Sequence, residues 1–275
     1  MTVSTTESAT ASAALPIIIL RGLSREASHS QRFLEALHVA MQQQHGEWQN
    51  CRILCPDLPG TGTRFNEPSP TNINAILDAL DLESIAPQFH LVGISLGGML
   101  ASALAERTPE IIASLTLVNT SFKRYSAIWQ RFKVTRAHRI LRALINWPNT
   151  EVREQAIMKL VSNHTIYDGF GDQSFHEVLD TWVQIQREHP VSFANVRRQM
   201  QAAMNFTGPE KAPCPHIQIL VSDTDQLVSP QCSYQLAKAW QVPIHAHPSA
   251  GHDLFLDDPE WSATQIGRFV MNRDN

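Results

Sequence analysis

The stretch HLVGISLGGML, residues 90–100, places Ser95 between two glycines at the point where an aliphatic run ends. The three fixed positions of this G-x-S-x-G pattern occur by chance in roughly one chain in ten of this length, so the pattern alone is weak. Its context is stronger, because it ends a predicted strand and begins a predicted helix, where a tight turn can lift a hydroxyl clear of a sheet. Ser95 is therefore either a nucleophile on such a turn or a small polar residue in a glycine-rich bend.

Strand and helix patterns alternate on both sides of this motif, with a period of about thirty residues. Consecutive buried strands that are joined by helices are parallel and carry helices on both faces, so the sequence predicts a doubly wound α/β fold with a mostly parallel sheet. The predicted strands are LPIIIL (15–20), CRILCPD (51–57), QFHLVGI (88–94), LTLVNT (115–120), HIQILVS (216–222) and VPIHAHPS (242–249).

The alternation stops at residue 121 and resumes with the strand at 216. We expect residues 121–210 to be helical throughout and to form a lid that lies above the carboxyl ends of the strands. Residues 15–120 and 211–275 then form the core. Residues 1–14 have the composition of a flexible tail and resemble neither a secretory signal nor a transit peptide.

The composition is that of an ordinary globular protein, with 43% hydrophobic residues, 17% charged residues and a formal charge of −4. This balance argues against a general nucleic-acid binder, and no apolar run reaches the ~20 residues of a membrane span. The four cysteines have neither zinc-site spacing nor a disulfide pattern, so we expect buried thiols and a cytoplasmic protein. Nothing in the composition predicts the oligomeric state.

A serine hydroxyl needs a base, and the base needs an acid that holds its tautomer. His252 follows the last predicted strand in the loop SAGHDLF, and Asp223 and Asp225 follow the strand before it in LVSDTDQLVSP. The end of the strand that precedes the insertion carries Asn119 and no carboxylate. The resulting chain order is serine, aspartate, histidine, as in hydrolases built on a doubly wound sheet.

With these residues in place, the sequence resembles the α/β-hydrolase superfamily over most of residues 16–270 outside the insertion. The matching stretches are IIILRGL, CPDLPGTG, LVGISLGGMLASALAERTPE, LVSDTDQLVSP and AGHDLFLDDPEW. The resemblance implies a nucleophile at Ser95, a base at His252 and an acid at Asp225 in preference to Asp223. It also implies an oxyanion hole formed by the backbone N–H groups of Leu23 and Leu96.

Two departures from the family pattern affect the expected site. The family usually has His-Gly where this chain has Arg21-Gly22, so Arg21 either braces the oxyanion loop or contacts an acidic group of the substrate. The first strand begins near Leu15, which leaves too little chain for the two amino-terminal strands of the full fold. We therefore expect about six strands.

The first part of the predicted lid is basic, and between Ser121 and Thr150 it contains no acidic residue. On a continuous helix, Arg131, Arg139 and Arg142 would share one stripe with Thr135 and His138. The stripe is either a solvated face or a docking surface for an anionic carrier of the substrate or an anionic membrane. The basic residues are Lys123, Arg124, Arg131, Lys133, Arg136, Arg139 and Arg142.

Aromatic residues are concentrated in the same insertion, and we expect most of them in its core and one or two in an acyl pocket. No cofactor is expected, because a serine triad needs none. His245 and His247 share a strand face, but no third ligand follows at a suitable spacing, so metal binding is not predicted. The aromatic residues are Trp129, Phe132, Trp147, Tyr167, Phe170, Phe175 and Trp182.

The favoured hypothesis is a serine hydrolase that cleaves a small-molecule carboxylic ester or thioester through an acyl-enzyme on Ser95. The same three residues also support hydrolysis of carbon–carbon bonds or acyl transfer to acceptors other than water. A different class of protein, a ligand-binding protein that keeps the fold without turnover, is the remaining alternative.

Overall fold

The computed structural model describes residues 14–43, 46–133, 142, 145, 147–165 and 167–272. The predicted tail at residues 1–14 lies outside these ranges except for Ala14. Arg136 and Arg139 of the basic segment also lie outside them, as do Thr135 and His138.

In the described part of the chain, six strands form one sheet in the order β2-β1-β3-β4-β5-β6. Every neighbouring pair is parallel, which confirms the predicted doubly wound architecture and its strand number. The strands are β1 (Ile17–Leu20), β2 (Ile53–Leu54), β3 (Phe89–Ile94), β4 (Ile112–Val118), β5 (Ile217–Ser222) and β6 (Ile244–His247).

The four central strands β1, β3, β4 and β5 are buried on both faces because helices cover each face. In β1, Ile17 and Ile19 pack into one core cluster, whereas Ile18 and Leu20 pack into the other. All four side chains are fully buried, and each contributes about 1.5–3 kcal/mol by leaving water. The unbroken aliphatic run that predicts this strand is thus the consequence of a two-sided core.

The helices divide between the two faces of the sheet. Helices α1 and α10 share one core cluster, and α2, α3 and α8 share the other. In chain order the helices are α1 (Gln31–Gln42), α2 (Ile73–Leu80), α3 (Leu96–Arg107), α4 (Ile128–Arg131), α5 (Thr150–Val161), α6 (Phe175–Glu188), α7 (Phe193–Asn205), α8 (Gln231–Trp240), α9 (Leu254–Asp257) and α10 (Pro259–Met271).

Two strands differ from their predicted lengths. Strand β2 contains only two of the seven residues predicted, since it lies at the sheet edge and Pro56 after it has no N–H for the ladder. Strand β4 begins three residues earlier than predicted and ends at Val118, because Asn119 has a φ of 45° and leaves the extended conformation.

Helices α4 to α7 lie between β4 and β5, but the insertion is not helical throughout, which corrects the prediction. Residues 162–165 and 167–174 are not helical, and Phe170 makes a short pairing with Gln173. Phe170, Phe175 and Trp182 form a separate small core of the insertion. The division into a core and a lid at residues 121 and 210 stays a prediction.

None of the helices in the described ranges combines the length and the apolar character that a bilayer span requires.

Candidate active site

Ser95 lies in the turn between β3 and α3, where the sequence pattern predicts it. Its φ of 56° and ψ of −114° are strained for a residue with a side chain, at a cost of about 1–3 kcal/mol. The Ser95 N–H donates to the Val118 carbonyl over 2.9 Å, and the Thr120 hydroxyl donates to the Ser95 carbonyl over 2.8 Å. The residues at the end of β4 therefore hold the turn in its strained conformation.

Gly93 and Gly97 allow the strand and the helix to meet at this turn. A Cβ on Gly93 would overlap the carbonyl of Gly97, and a Cβ on Gly97 would overlap the carbonyl of Leu20 in β1. Both obstacles are backbone atoms, which cannot rotate out of the way. The two glycines of the motif are thus required by close backbone approach.

Asp225 lies in the loop after β5, with a side chain 2% exposed. Its Oδ1 accepts hydrogen bonds from the N–H groups of Leu227 and Val228, and its Oδ2 is 2.7 Å from Nδ1 of His252. Asp223 is exposed and accepts a hydrogen bond from the Tyr234 hydroxyl. The structure therefore brings Asp225, and not Asp223, to the histidine.

His252 joins the two other residues. Its Nε2 is 3.0 Å from the Ser95 hydroxyl oxygen, while its Nδ1 faces Asp225, and the residue is only 5% exposed. Burial alone would lower the pKa of His252, but the nearby Asp225 carboxylate and its hydrogen bond raise the pKa above its ordinary value. The three predicted residues thus converge in the arrangement that activates a serine hydroxyl.

Asn119 holds the backbone of the histidine loop, a role that the sequence does not reveal. Its side-chain amide donates to the His252 carbonyl over 2.8 Å and to the Ser222 hydroxyl over 2.9 Å, and its side-chain oxygen accepts from the Ser222 N–H. The left-handed backbone at Asn119 directs the amide across the end of β5. The only signal in the sequence is a polar residue at the end of a buried strand.

Arg21 is buried and pairs with Asp253, the residue after the histidine. Nη2 of Arg21 is 2.7 Å from Oδ2 of Asp253, and the guanidinium also lies over the Phe255 ring. Burial opposes ionisation of Asp253, but the Arg21 guanidinium holds the pKa of that carboxyl below its ordinary value. The ion pair favours the bracing interpretation of Arg21, although the group braced is the histidine loop.

Leu23 and Leu96 line the same cavity as Ser95. Leu96 is the first residue of α3, so its N–H is one of the donors that a helix leaves unpaired at its start. The loop that carries Leu23 approaches the serine closely, because a Cβ on Gly22 would lie 3.5 Å from the Ser95 Cβ. Both residues line the cavity beside Ser95, and their role as oxyanion-hole donors stays a prediction.

A cavity of about 180 Å³ lies above the carboxyl ends of the strands, and its lining is mostly apolar. The core supplies Ser95, His252 and Met99, and the inserted helices supply much of the remainder. Of the aromatic residues in the insertion, Phe132 and Trp147 line it. Such a cavity suits the apolar part of a small ester.

The insertion is also bonded directly to the histidine loop through Asp257. The Asp257 carboxylate accepts hydrogen bonds from the Ser162 hydroxyl, the Asn163 N–H and the Gly251 N–H. The Asn163 side chain in turn donates to the Thr224 and Ser249 carbonyls. These bonds fix the loops that carry the acid and the base relative to the inserted segment.

Arg131 does not continue into the helical stripe that the sequence predicts, and Thr135, His138 and Arg139 of that stripe lie outside the described residues. Helix α4 ends at Arg131, and Phe132 is extended, with a φ of −141°. Arg131 is buried, and the Lys133 ammonium donates to the Asp225 carbonyl over 2.5 Å. Among the basic residues of this segment that the structure describes, Lys123, Arg124 and Arg142 are exposed.

His247, one of the two neighbouring histidines of β6, has a structural role. Its Nε2 is 3.0 Å from the Asp258 carboxylate, and its Nδ1 accepts hydrogen bonds from the N–H groups of Ser249 and Ala250. His245 is exposed. Among the described residues, no three histidine, cysteine, aspartate or glutamate side chains lie close enough to hold a metal ion.

Comparison with known proteins supports the same family. Human monoacylglycerol lipase ABHD6 is 24% identical over 242 residues, which cover 82% of this chain and 70% of the lipase. A bacterial membrane phospholipase A described as a virulence factor has a similar fold, with a TM-score of 0.74 at 18% identity over 95% of this chain and 80% of its own. An esterase from Thermogutta terrifontis gives a TM-score of 0.70 at 18% identity, covering 96% and 92%.

The family model for the alpha/beta hydrolase family matches residues 17–265, which include the strand-turn-helix motif, the loop of the acid and the loop of the histidine. On the strength of this match and of its six-stranded parallel sheet, the chain belongs to the alpha/beta hydrolase family.

Proposed function

We propose that the protein is a serine hydrolase that cleaves a carboxylic ester or thioester through an acyl-enzyme on Ser95. The observation that carries the proposal is the pair of contacts made by His252, 3.0 Å to the Ser95 hydroxyl and 2.7 Å to Asp225. Both lie within the reach that general-base activation needs. The relatives named a lipase, a phospholipase and an esterase also support cleavage of an ester bond.

In the resting enzyme, Nδ1–H of His252 donates to Asp225, which leaves the Nε2 lone pair to accept the Ser95 hydroxyl proton. When a substrate carbonyl binds beside Ser95, Nε2 takes that proton as Oγ forms a bond to the carbonyl carbon. The carbonyl oxygen becomes an oxyanion, which accepts hydrogen bonds from the N–H groups of Leu23 and Leu96. Asp225 stabilises the imidazolium that results.

Collapse of this intermediate breaks the bond to the leaving group, which takes the proton from Nε2 of His252. The acyl group remains on Oγ of Ser95. A water molecule then donates its proton to Nε2 and attacks the ester, and a second collapse releases the carboxylic acid and returns the proton to Ser95. The buried carboxylate of Asp225 keeps the histidine oriented through both halves of the reaction.

The apolar cavity supports a substrate with a hydrocarbon part. Met99, Ile157 and Leu160 belong to its lining, with one residue from the core and two from the inserted helix α5. The insertion thus serves as a lid in the proposed enzyme. We also propose a cytoplasmic location, because all four cysteines are free thiols.

A fluorophosphonate probe tests the proposal, since it reacts with activated serines. Wild type should be labelled and should hydrolyse short p-nitrophenyl esters, whereas Ser95→Ala should do neither. Ser121→Ala is the matched control, because Ser121 is buried and lines the same cavity, so labelling should persist. If wild type is neither labelled nor active, the proposal is wrong and a ligand-binding role takes its place.

A carrier-linked substrate is a finer proposal, supported by the exposed Lys123, Arg124 and Arg142. Attraction between exposed charges weakens with ionic strength. The KM for an acyl group on an acidic carrier should therefore rise with salt, while the KM for the free ester stays constant. An equal response of both substrates would remove the carrier from the proposal.

A further inference from the structure

Arg131 lines the cavity above Ser95 although it is only 4% exposed. Its Nη2 donates to the Ala203 carbonyl over 2.6 Å, and its Nη1 is 3.3 Å from the Met204 carbonyl. Its Nε is buried and has no partner in the described ranges. Because a guanidinium carries five N–H donors, these two carbonyls leave most of its donors unused.

No carboxylate forms an ion pair with Arg131 in the part of the chain that the structure describes. The neighbouring sequence cannot supply one either, since residues 121–150 contain no aspartate or glutamate. Burial lowers the pKa of the Arg131 guanidinium, which is the direction expected for a cation that lacks a counter-ion.

The other arginines at the cavity do have counter-ions. Arg21 pairs with Asp253 at 2.7 Å. Arg25 pairs with Glu154 at 2.8 Å, but the same carboxylate also binds Arg153 at 2.9 Å. Two arginines therefore share one acid, and Arg131 differs from Arg21 and Arg25 in having no carboxylate partner in the described ranges.

A purely structural role accounts for only part of this arrangement. Ala203 and Met204 lie in the last turn of α7, and a cation near the carbonyls that end a helix is favourable. An amide side chain would satisfy these two carbonyls without placing an unpaired charge beside an apolar cavity. The unpartnered Nε is buried away from water, so an anionic ligand group is the partner that it lacks.

We propose that Arg131 binds a carboxylate of the substrate, so that the protein cleaves esters or thioesters whose acyl or alcohol part ends in a carboxylate. This inference rests on the proposed hydrolase function. A carboxylate fits better than a phosphate monoester, because one guanidinium balances one negative charge and offers its parallel donors to two oxygens.

Matched pairs of esters test the inference. Mono-p-nitrophenyl adipate and p-nitrophenyl hexanoate have acyl chains of equal length, and only the first ends in a carboxylate. The pair 4-acetoxybenzoate and phenyl acetate places the carboxylate on the leaving group. In wild type, we expect kcat/KM for the carboxylate member of at least one pair to be higher by about tenfold to a hundredfold, as for a buried charged hydrogen bond.

Arg131→Met should abolish this preference by lowering kcat/KM for the carboxylate ester to the level of its neutral partner. Arg131→Lys should keep part of the preference, since it retains the charge without the planar fork. Arg124→Met is the matched control, because Arg124 is exposed on the same segment and should leave the preference intact. Using the neutral ester as an internal reference removes the effect of any loss of folded protein.

Equal kcat/KM values for both members of both pairs in wild type would overturn the inference and leave the hydrolase proposal standing. If wild type cleaves none of the esters, the hydrolase proposal fails, and calorimetric titration with monomethyl adipate decides the inference separately. Binding to Ser95→Ala that is lost in Ser95→Ala/Arg131→Met would support the carboxylate site. Absence of binding to Ser95→Ala would overturn it.

Discussion

The buried pair of Arg21 and Asp253 should be a large single contribution to stability. The two side chains are 2% and 7% exposed, and their closest atoms are 2.7 Å apart. Asp253→Asn keeps the shape of the side chain but leaves the guanidinium buried without a counter-ion. Removal of one partner from a buried pair costs about 3–5 kcal/mol, because the remaining charge keeps its desolvation penalty.

The size of the chain converts this cost into a melting temperature. Unfolding entropy near 60 °C is about 2.1 cal/mol/K per residue, or about 0.6 kcal/mol/K for 275 residues. Asp253→Asn should therefore lower Tm by about 5–9 °C in scanning calorimetry. Glu67→Gln is the matched control, since Arg64 and Glu67 are 2.6 Å apart but 27% and 47% exposed. It should cost less than about 1 kcal/mol.

The double variant Arg21→Met/Asp253→Asn separates the pair from its surroundings. Most of the lost stability should return, because neither charge is then left alone in the core.

The folded pKa of Asp253 lies below its ordinary value, so the contribution of the pair is present above about pH 4 and is lost as the pH falls through the folded pKa. Equal losses in Asp253→Asn and Glu67→Gln would refute the reasoning.

Two further predictions concern the histidine and the turn. His252 must be neutral to act and its pKa is raised, so kcat/KM should rise with pH through a midpoint above about 6.5. Because the Asp253 carboxylate helps to raise the pKa of His252, Asp253→Asn should shift that midpoint down in a pH-rate profile, and an unchanged midpoint would contradict this contribution. Gly97→Ala should lower the free energy of unfolding in urea by at least about 3 kcal/mol, because the added methyl would overlap the Leu20 carbonyl. Gly22→Ala is the control and should cost less than about 1 kcal/mol, since the nearest neighbour of its methyl would be 3.5 Å away. Similar losses in the two variants would contradict the close backbone approach at Gly97.

The fold and the positions of the reactive side chains were accessible from the sequence because both depend on local patterns. A strand buried on both faces is a continuous apolar run, and Ser95 directly follows such a run, while Asp225 and His252 lie in the loops after β5 and β6. Since parallel strands end at the same edge of a sheet, residues that follow them converge there without any knowledge of the packing.

The supporting residues were not accessible, because they act through partners far away in the chain. Asp253 is next to the predicted base, yet its partner Arg21 is 232 residues away. The helical periodicity predicts an exposed stripe that includes Arg131, because it assumes a continuous helix. The extended backbone at Phe132 ends that helix and leaves Arg131 buried. A helical pattern predicts which residues share a face, but tertiary contacts decide where the helix stops.

The end of β4 shows that a position near the histidine is insufficient for the acid. Asn119 lies at a strand end beside β5, and its amide contacts the backbone carbonyl of His252, while the imidazole Nδ1 faces Asp225. Asn119→Asp/Asp225→Asn moves the carboxylate to the β4 end. This double variant should be no more active than Asp225→Asn alone. A carboxylate at position 119 would repel the His252 carbonyl to which the Asn119 amide donates, and it would lie away from Nδ1 of the imidazole. We expect kcat/KM to fall by about 10⁴-fold in both variants, as when the tautomer of the base is lost. Recovery of activity in the double variant would contradict this geometry and show that the histidine ring can turn toward β4.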